Sequence, residues 1–380
     1  MSMTLAAALG SAAGALALVV ILIFFVWYCL FRRRNSRTSE SNSSEPSIQA
    51  GQSVELSVQE SSSYLPGVQG SRRFGLGELN IATKDFSDIN LIGHGIFGEV
   101  YKGLLQDGMI VAIKRRPAPP NQDFIEEVRY LSSIRHRNLV SLLGYSQESD
   151  LQMLIYEYIP NGSVSAHLYG GSQASASRLE FKNRLSIASG AAKGLDHLHS
   201  LTPPLVHMNF KTGNVLVDED FIPKVADAGL RILLYRVDGV ASSQITLDDP
   251  FLDPGVREFG RFSVKSDVYS FGVFLMELVT GNEVKSEQSV RKWVQNYEET
   301  SDITSIVDQR MSSNFTTECV REFLRLIVWC LNPIGDGRPP SSYLVSELDR
   351  IREKELNLTT IRGEGTTTVT LGSQLFKSGL

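Results

Sequence analysis

Between Gly93 and Gly98 the chain reads Gly-His-Gly-Ile-Phe-Gly. Glycines at Gly93, Gly95 and Gly98 let a backbone fold down over phosphate groups without side-chain obstruction. The spacing alone is a weak signal, because dinucleotide-binding folds share it. Its surroundings discriminate. A dinucleotide fingerprint opens a helix, whereas Val100-Tyr101 and then Met109-Ile110-Val111-Ala112-Ile113 are β-formers, so this loop joins two strands. That excludes an unrelated Rossmann-type enzyme. Lys114 sits at the end of the second strand. A second stretch, Val206 to Gly229, gathers His207, Asn209, Lys211, Asn214 and Asp227. Asn209 is an amide: it hydrogen-bonds, but it carries no charge and is not a base at any relevant pH.

The second stretch resembles the catalytic loop and metal-binding segment of eukaryotic protein kinases, His-Arg-Asp-x-Lys-x-x-Asn followed by Asp-Phe-Gly. His207, Lys211, Asn214, Asp227 and Gly229 fit that pattern. Val111-Ala112-Ile113-Lys114 fits the strand that carries the kinase lysine. With the lead-in Phe74-Gly75-Leu76-Gly77-Glu78-Leu79 and Leu91-Ile92-Gly93, the chain is similar to plant receptor-like kinases of the Ser/Thr type from Phe74 to Glu355. The resemblance implies an α+β, two-lobed protein kinase fold: a small antiparallel sheet lobe with one helix, and a large helical lobe. It implies ATP and Mg2+ as cofactors. Gly93, Gly95, Phe97 and Gly98 would form the loop over the phosphates, and Lys114 would pair with the α- and β-phosphates. Glu127 would bridge to Lys114 in the active arrangement. Val100, Ala112 and Leu216 would sandwich the adenine, whose edge would meet the backbone of Glu157 and Ile159, with Tyr156 as gatekeeper. Asn214 and Asp227 would hold the metal ions, and Lys211 would neutralise the γ-phosphate.

The departures from the family pattern concern catalysis. Asn209 stands where the catalytic Asp is usual, and general-base assistance is typically worth ~10²–10⁴-fold. Met208 stands where an Arg grips an activation-loop phosphate. Ala228 replaces a Phe that packs beneath the regulatory helix, a truncation that costs ~3–5 kcal/mol when nothing refills the space. Family members read Gly-Thr-x-Gly-Tyr-x-x-Pro-Glu in the activation segment. Here the run is Leu247-Asp248-Asp249-Pro250-Phe251-Leu252-Asp253-Pro254-Gly255, so Gly255 replaces the Glu that pairs with a buried arginine, Arg338. Either Glu258 substitutes or the segment is loose. Ser242, Ser243 and Thr246 are loop residues that double as candidate phosphosites.

Several elements must position these groups. Phe124, Val128 and Leu131 recur at helical spacing, predicting a helix over Asp123–Ile134. Met153 to Ile159 reads as a strand running into the turn Pro160-Asn161-Gly162. Leu185 to His199 reads as a helix. Ser266 to Leu278 is apolar nearly all round, as a buried central helix is. By resemblance, Asp267 caps the catalytic-loop backbone. Phe323–Trp329 and Tyr343–Arg352 complete the helical lobe.

Met1 to Phe31 contains no charged residue, and Arg32-Arg33-Arg34 follow at once. A bilayer core takes roughly 20 apolar residues of helix. Basic residues stay cytoplasmic, so one transmembrane helix within 1–34 is expected, with the kinase domain in the cytosol, at the plasma membrane. A cleaved signal peptide would carry its charge before the apolar run. Residues 35–73 are Ser-, Glu- and Gln-rich and read as a disordered linker. The kinase domain spans 74–355, and 356–380 reads as a flexible tail. No ligand-binding ectodomain is expected. Across 380 residues the net charge is −5, which argues against nucleic acid as a partner. Three scattered cysteines exclude a disulfide frame or zinc site. Two functions remain open. The four altered elements favour a membrane-tethered pseudokinase, a scaffold or allosteric partner of other membrane receptor kinases or cytosolic signalling proteins. The alternative is a weakly active serine/threonine kinase, since phosphoryl transfer is largely positioning and electrostatics.

Overall fold

The computed structural model describes residues 71–170, 179–239, 248–299, 302–311 and 315–364. The expected membrane segment within 1–34, linker residues 35–70, and Ser242, Ser243 and Thr246 lie outside the described residues. Among the described residues no helix is long and apolar enough to cross a membrane.

The small lobe is a six-stranded sheet, in the order β1-β5-β6-β4-β3-β2. The strands are β1 (Arg72–Arg73), β2 (Leu91–His94), β3 (Glu99–Leu104), β4 (Ile110–Pro117), β5 (Leu142–Glu148) and β6 (Leu151–Glu157). All pairings are antiparallel except β1 on β5. Arg72 and Arg73, expected to end the linker, thus belong to the sheet. The register sets Val100 opposite Lys114 and Ala112 opposite Tyr156. Side chains alternate across a strand, so Val100, Ala112 and Lys114 share one face. Helix α1 (Leu76–Thr83) covers the other face with Phe74, Leu79, Ala82 and Phe86, against Tyr101, Val111, Ile113, Met153 and Ile155. Helix α2 (Gln122–Ser133) is started by Asn121, whose side chain accepts from the Asp123 amide at 2.8 Å. Its buried stripe is Phe124, Val128 and Leu131, as the spacing predicts.

The helical lobe contains α3 (Val164–Tyr169), α4 (Phe181–Ser200), the two-stranded ribbon β7 (Val215–Val217) and β8 (Pro223–Val225), and α5 (Leu230–Asp238). Then come α6 (Pro254–Phe259), α7 (Val264–Thr280), α8 (Glu287–Glu299), α9 (Thr317–Cys330) and α10 (Ser341–Glu364). Helix α7 opens with a Ser263–Ser266 capping box and is buried from Ser266 to Val279. Helix α10 continues to Glu364, so residues 356–364, expected to be tail, are helical.

Arg338 is not orphaned. Its guanidinium meets both oxygens of Asp253, at 2.7 and 2.8 Å, and its side chain is fully buried. Asp253 lies two residues before Gly255 and also caps α6 through the Gly255 amide at 2.9 Å. Glu258, one of the two expected outcomes, is exposed. The carboxylate has moved along the chain, and the segment from Asp253 onward is pinned.

Candidate nucleotide site

A cleft of about 420 Å³ lies between the lobes. Ten of the residues singled out by sequence line it: Gly93, Gly95, Val100, Ala112, Lys114, Glu157, Ile159, Asn214, Leu216 and Asp227. Tyr156 lines it too, with the Lys114 ammonium 5.5 Å from its ring centre. Burial raises the Tyr156 pKa, so the phenol stays neutral. Ile92, Val140 and Ala226 complete the apolar walls. Ile92 and Ala226 adjoin Gly93 and Asp227 in the motifs above, whereas no local signal marked Val140. Val140 reaches the cleft because its amide bonds the Val225 carbonyl at 2.9 Å, a contact between distant segments.

Phe97 and Gly98, expected over the phosphates, do not line the cleft. Phe97 turns inward and stacks on Phe124 of α2, ring centres 6.4 Å apart. Gly98 has φ +145°, and a Cβ there would stand 2.1 Å from the Arg115 carbonyl oxygen. Glycine is needed at 98 for close backbone approach to β4, whereas nothing lies within 4 Å of a Cβ at Gly93 or Gly95. Gly98→Ala is therefore expected to cost ~1–3 kcal/mol in backbone strain, before the clash is counted. Gly95→Ala should leave the melting temperature unchanged. Thermal melts of the two variants check this; equal melting would refute the distinction.

The catalytic loop is held from below. Asp267 accepts from the His207 amide at 2.7 Å, the Met208 amide at 3.0 Å and His199 Nε2 at 2.9 Å. This supports Met208 at φ +62°, a conformation uncommon outside glycine. His207 Nε2 lies 2.9 Å from the Ala226 carbonyl, which can only accept, and its Nδ1 accepts from the Asn209 amide at 3.3 Å. Those partners fix the neutral Nε2–H tautomer. Burial also pushes the His207 pKa down. Asn214 Nδ2 donates to the Asn209 carbonyl at 2.8 Å, leaving its own side-chain oxygen for other use. Asn209 and Lys211 do not line the main cleft. Asn209 lies in a small recess with Arg231 and Asp249. Lys211 shares that recess and also lines an adjoining cavity of about 570 Å³ with Thr212, Asp249 and Glu277.

Glu127 is not brought to Lys114. Lys114 is ion-paired to Asp227, and Glu127 to Arg236 on α5. The other Glu127 oxygen, Oε1, is buried without a partner. Ala228 is only partly buried against the core, and the tight packing lies just after it. Leu131 packs so tightly on Gly229 that a Cβ there would be 2.4 Å from its Cδ2, and Leu230 and Leu233 are fully buried. Gly229 also has φ +72°, which suits glycine.

This bilobal frame, with a lysine, an asparagine and an aspartate converging in its cleft, is that of a protein kinase domain. The model of the protein tyrosine and serine/threonine kinase family matches residues 87–348, and the chain belongs to that family. Its relatives are plant receptor-like and related serine/threonine kinases. It is 36% identical over 289 residues to the probable serine/threonine-protein kinase PBL21 of Arabidopsis thaliana, covering 73% of this chain and 75% of that one. It is 39% identical over 304 residues to a putative leucine-rich repeat receptor-like serine/threonine-protein kinase of the same plant, covering 76% of this chain and 32% of the relative. The chain thus spans about a third of that relative's length. Among solved structures it is similar to the pseudokinase domain of BIR2, an immune regulator of the RLK/Pelle family. The TM-score is 0.63 at 29% identity, over 73% of this chain and 86% of that one. A second pseudokinase, solved in its apo form, shares the fold with a TM-score of 0.60 at 23% identity, over 81% of this chain and 99% of that one.

Proposed function

We propose that this chain is a nucleotide-binding pseudokinase of the receptor-like kinase family, acting in signalling as a scaffold or allosteric partner of active kinases. The observation that carries this reading is Asn209, an amide at the position of the base, beneath a cleft that still gathers Lys114, Asn214 and Asp227. The likeness to the BIR2 pseudokinase domain supports it. The cleft is within the usual size range for small-ligand sites, with apolar walls and a few convergent polar groups. The open space at Gly93 and Gly95 suits phosphates. Lys114 would meet the phosphates, and Asn214 and Asp227 would hold Mg2+. The metal, when bound, supplies charge neutralisation between phosphates. Arg32–Arg34 and the apolar run before them support a membrane anchor with this domain on the cytosolic side. The partners, by this reading, are other membrane receptor kinases or cytosolic signalling proteins.

Weak serine/threonine kinase activity is the second reading, favoured by the retained Lys211, Asn214 and Asp227. Nucleotide binding is tested by thermal shift. ATP at 100 times its Kd should stabilise the protein by about 2.7 kcal/mol. Lys114→Ala should abolish most of that shift. A folded sample that does not respond to millimolar ATP would refute nucleotide binding.

A further inference from the structure

Helix α5 is fastened to the small lobe at three points. The Asp238 carboxylate accepts from both terminal nitrogens of Arg116 on β4, at 2.6 and 3.1 Å. Arg116 is itself steadied by Gln152, at 3.0 and 2.6 Å. The Val237 carbonyl accepts from Asn121, the cap of α2, at 3.3 Å. Arg236 grips Glu127 in the middle of α2. Helix α5 also buries Leu230 and Leu233 completely.

These contacts reach into the cleft. With Glu127 held by Arg236, the cation left to pair with Asp227 is Lys114. That ion pair is well shielded, with side-chain exposures of 12% and 6%. A divalent ion on Asp227 would lie against the Lys114 ammonium in a site with little water to screen them. If Arg236 lets go, Glu127, whose Oε1 already lacks a partner, becomes the better acceptor for Lys114. Asp227 and the free oxygen of Asn214 are then available to a metal.

We propose that α5 is a latch that sets the form of nucleotide the cleft accepts. Latched, the site takes nucleoside triphosphate without a divalent ion, Lys114 serving as its cation. Unlatched, it takes the Mg2+ complex. This rests on the nucleotide-binding reading above.

The test titrates ATP into the full-length protein, with EDTA or with Mg2+, and follows backbone hydrogen exchange over 231–238 in the same samples. Arg236→Ala and Asp238→Asn are compared with the unaltered chain. Both sites are solvent-facing, so both variants should fold. The unaltered protein should bind ATP with affinity changed less than twofold by Mg2+, and with 231–238 protected. Arg236→Ala should bind tenfold or more tightly with Mg2+ than without, and exchange faster over 231–238. Asp238→Asn should move the same way by less. A tenfold gain from Mg2+ in the unaltered protein with 231–238 still protected would overturn the latch, as would unchanged exchange in Arg236→Ala. If no variant binds ATP in either condition, the nucleotide reading itself fails. The exchange arm then still decides whether α5 is fastened through Arg236.

Discussion

Asp253→Ala is expected to destabilise the domain by about 3–5 kcal/mol, the usual cost of leaving one member of a buried ion pair without its partner. Arg338 is completely buried and forms a two-bond fork with Asp253. Its remaining donors reach the carbonyls of Asn332 at 2.7 Å and Lys265 at 2.8 Å, and it stacks over Tyr269 at 5.1 Å. Those acceptors are neutral, so none replaces the lost charge. The substitution also removes the cap of α6. Urea unfolding reads the loss. Gly255→Glu, placed on the same background, should recover part of it by supplying a carboxylate where kinases usually carry one. An Asp253→Ala protein as stable as the unaltered one would show that the pair contributes nothing.

The second large effect concerns catalysis. A positioned base is typically worth ~10²–10⁴-fold, so restoring it by Asn209→Asp invites a gain of that size. The expected gain is much smaller. The cleft lacks more than a base, because Lys114 is bound to Asp227 while Glu127 is bound to Arg236. Groups that act as a unit respond non-additively. Asn209→Asp combined with Arg236→Ala should therefore exceed the sum of the single changes. Transfer of labelled γ-phosphate to the protein itself and to a generic substrate measures this. Full recovery by Asn209→Asp alone would contradict the coupling, and robust transfer by the unaltered protein would contradict the pseudokinase reading. Gly255→Glu, which the sequence pattern suggests as a further repair, loses its reason in the otherwise unaltered chain. Asp253 already occupies Arg338.

What was readable from sequence was local. The apolar stripe of α2 and the all-round apolarity of α7 follow from spacing, and both helices form. Ten of the expected cleft residues were readable because each belongs to a short motif with a fixed place in the fold. The choice of partner by a charged side chain was not readable. Arg338 finds Asp253 85 residues away, and Arg236 finds Glu127 109 residues away. No spacing rule selects one carboxylate over another at such separations. Phe97 was misplaced for a similar reason. It belongs to the loop by sequence, but which way its ring turns depends on its packing against Phe124. At Gly98 the sequence motif did not reveal the close backbone neighbour on β4 that also calls for glycine.

The order of strands separates two ends of the small lobe. Strand β1 is one edge of the sheet and β2 the other. Neighbouring strands are ~4.8 Å apart, so the five spacings between these edges amount to about 24 Å. The chain enters the domain at the β1 edge, while the glycine loop closes over the cleft from the β2 side. Anything joined ahead of Arg72 is therefore attached at the edge remote from the nucleotide mouth. The point where the chain enters the sheet and the mouth of the cleft are thus set at opposite edges by the strand order itself.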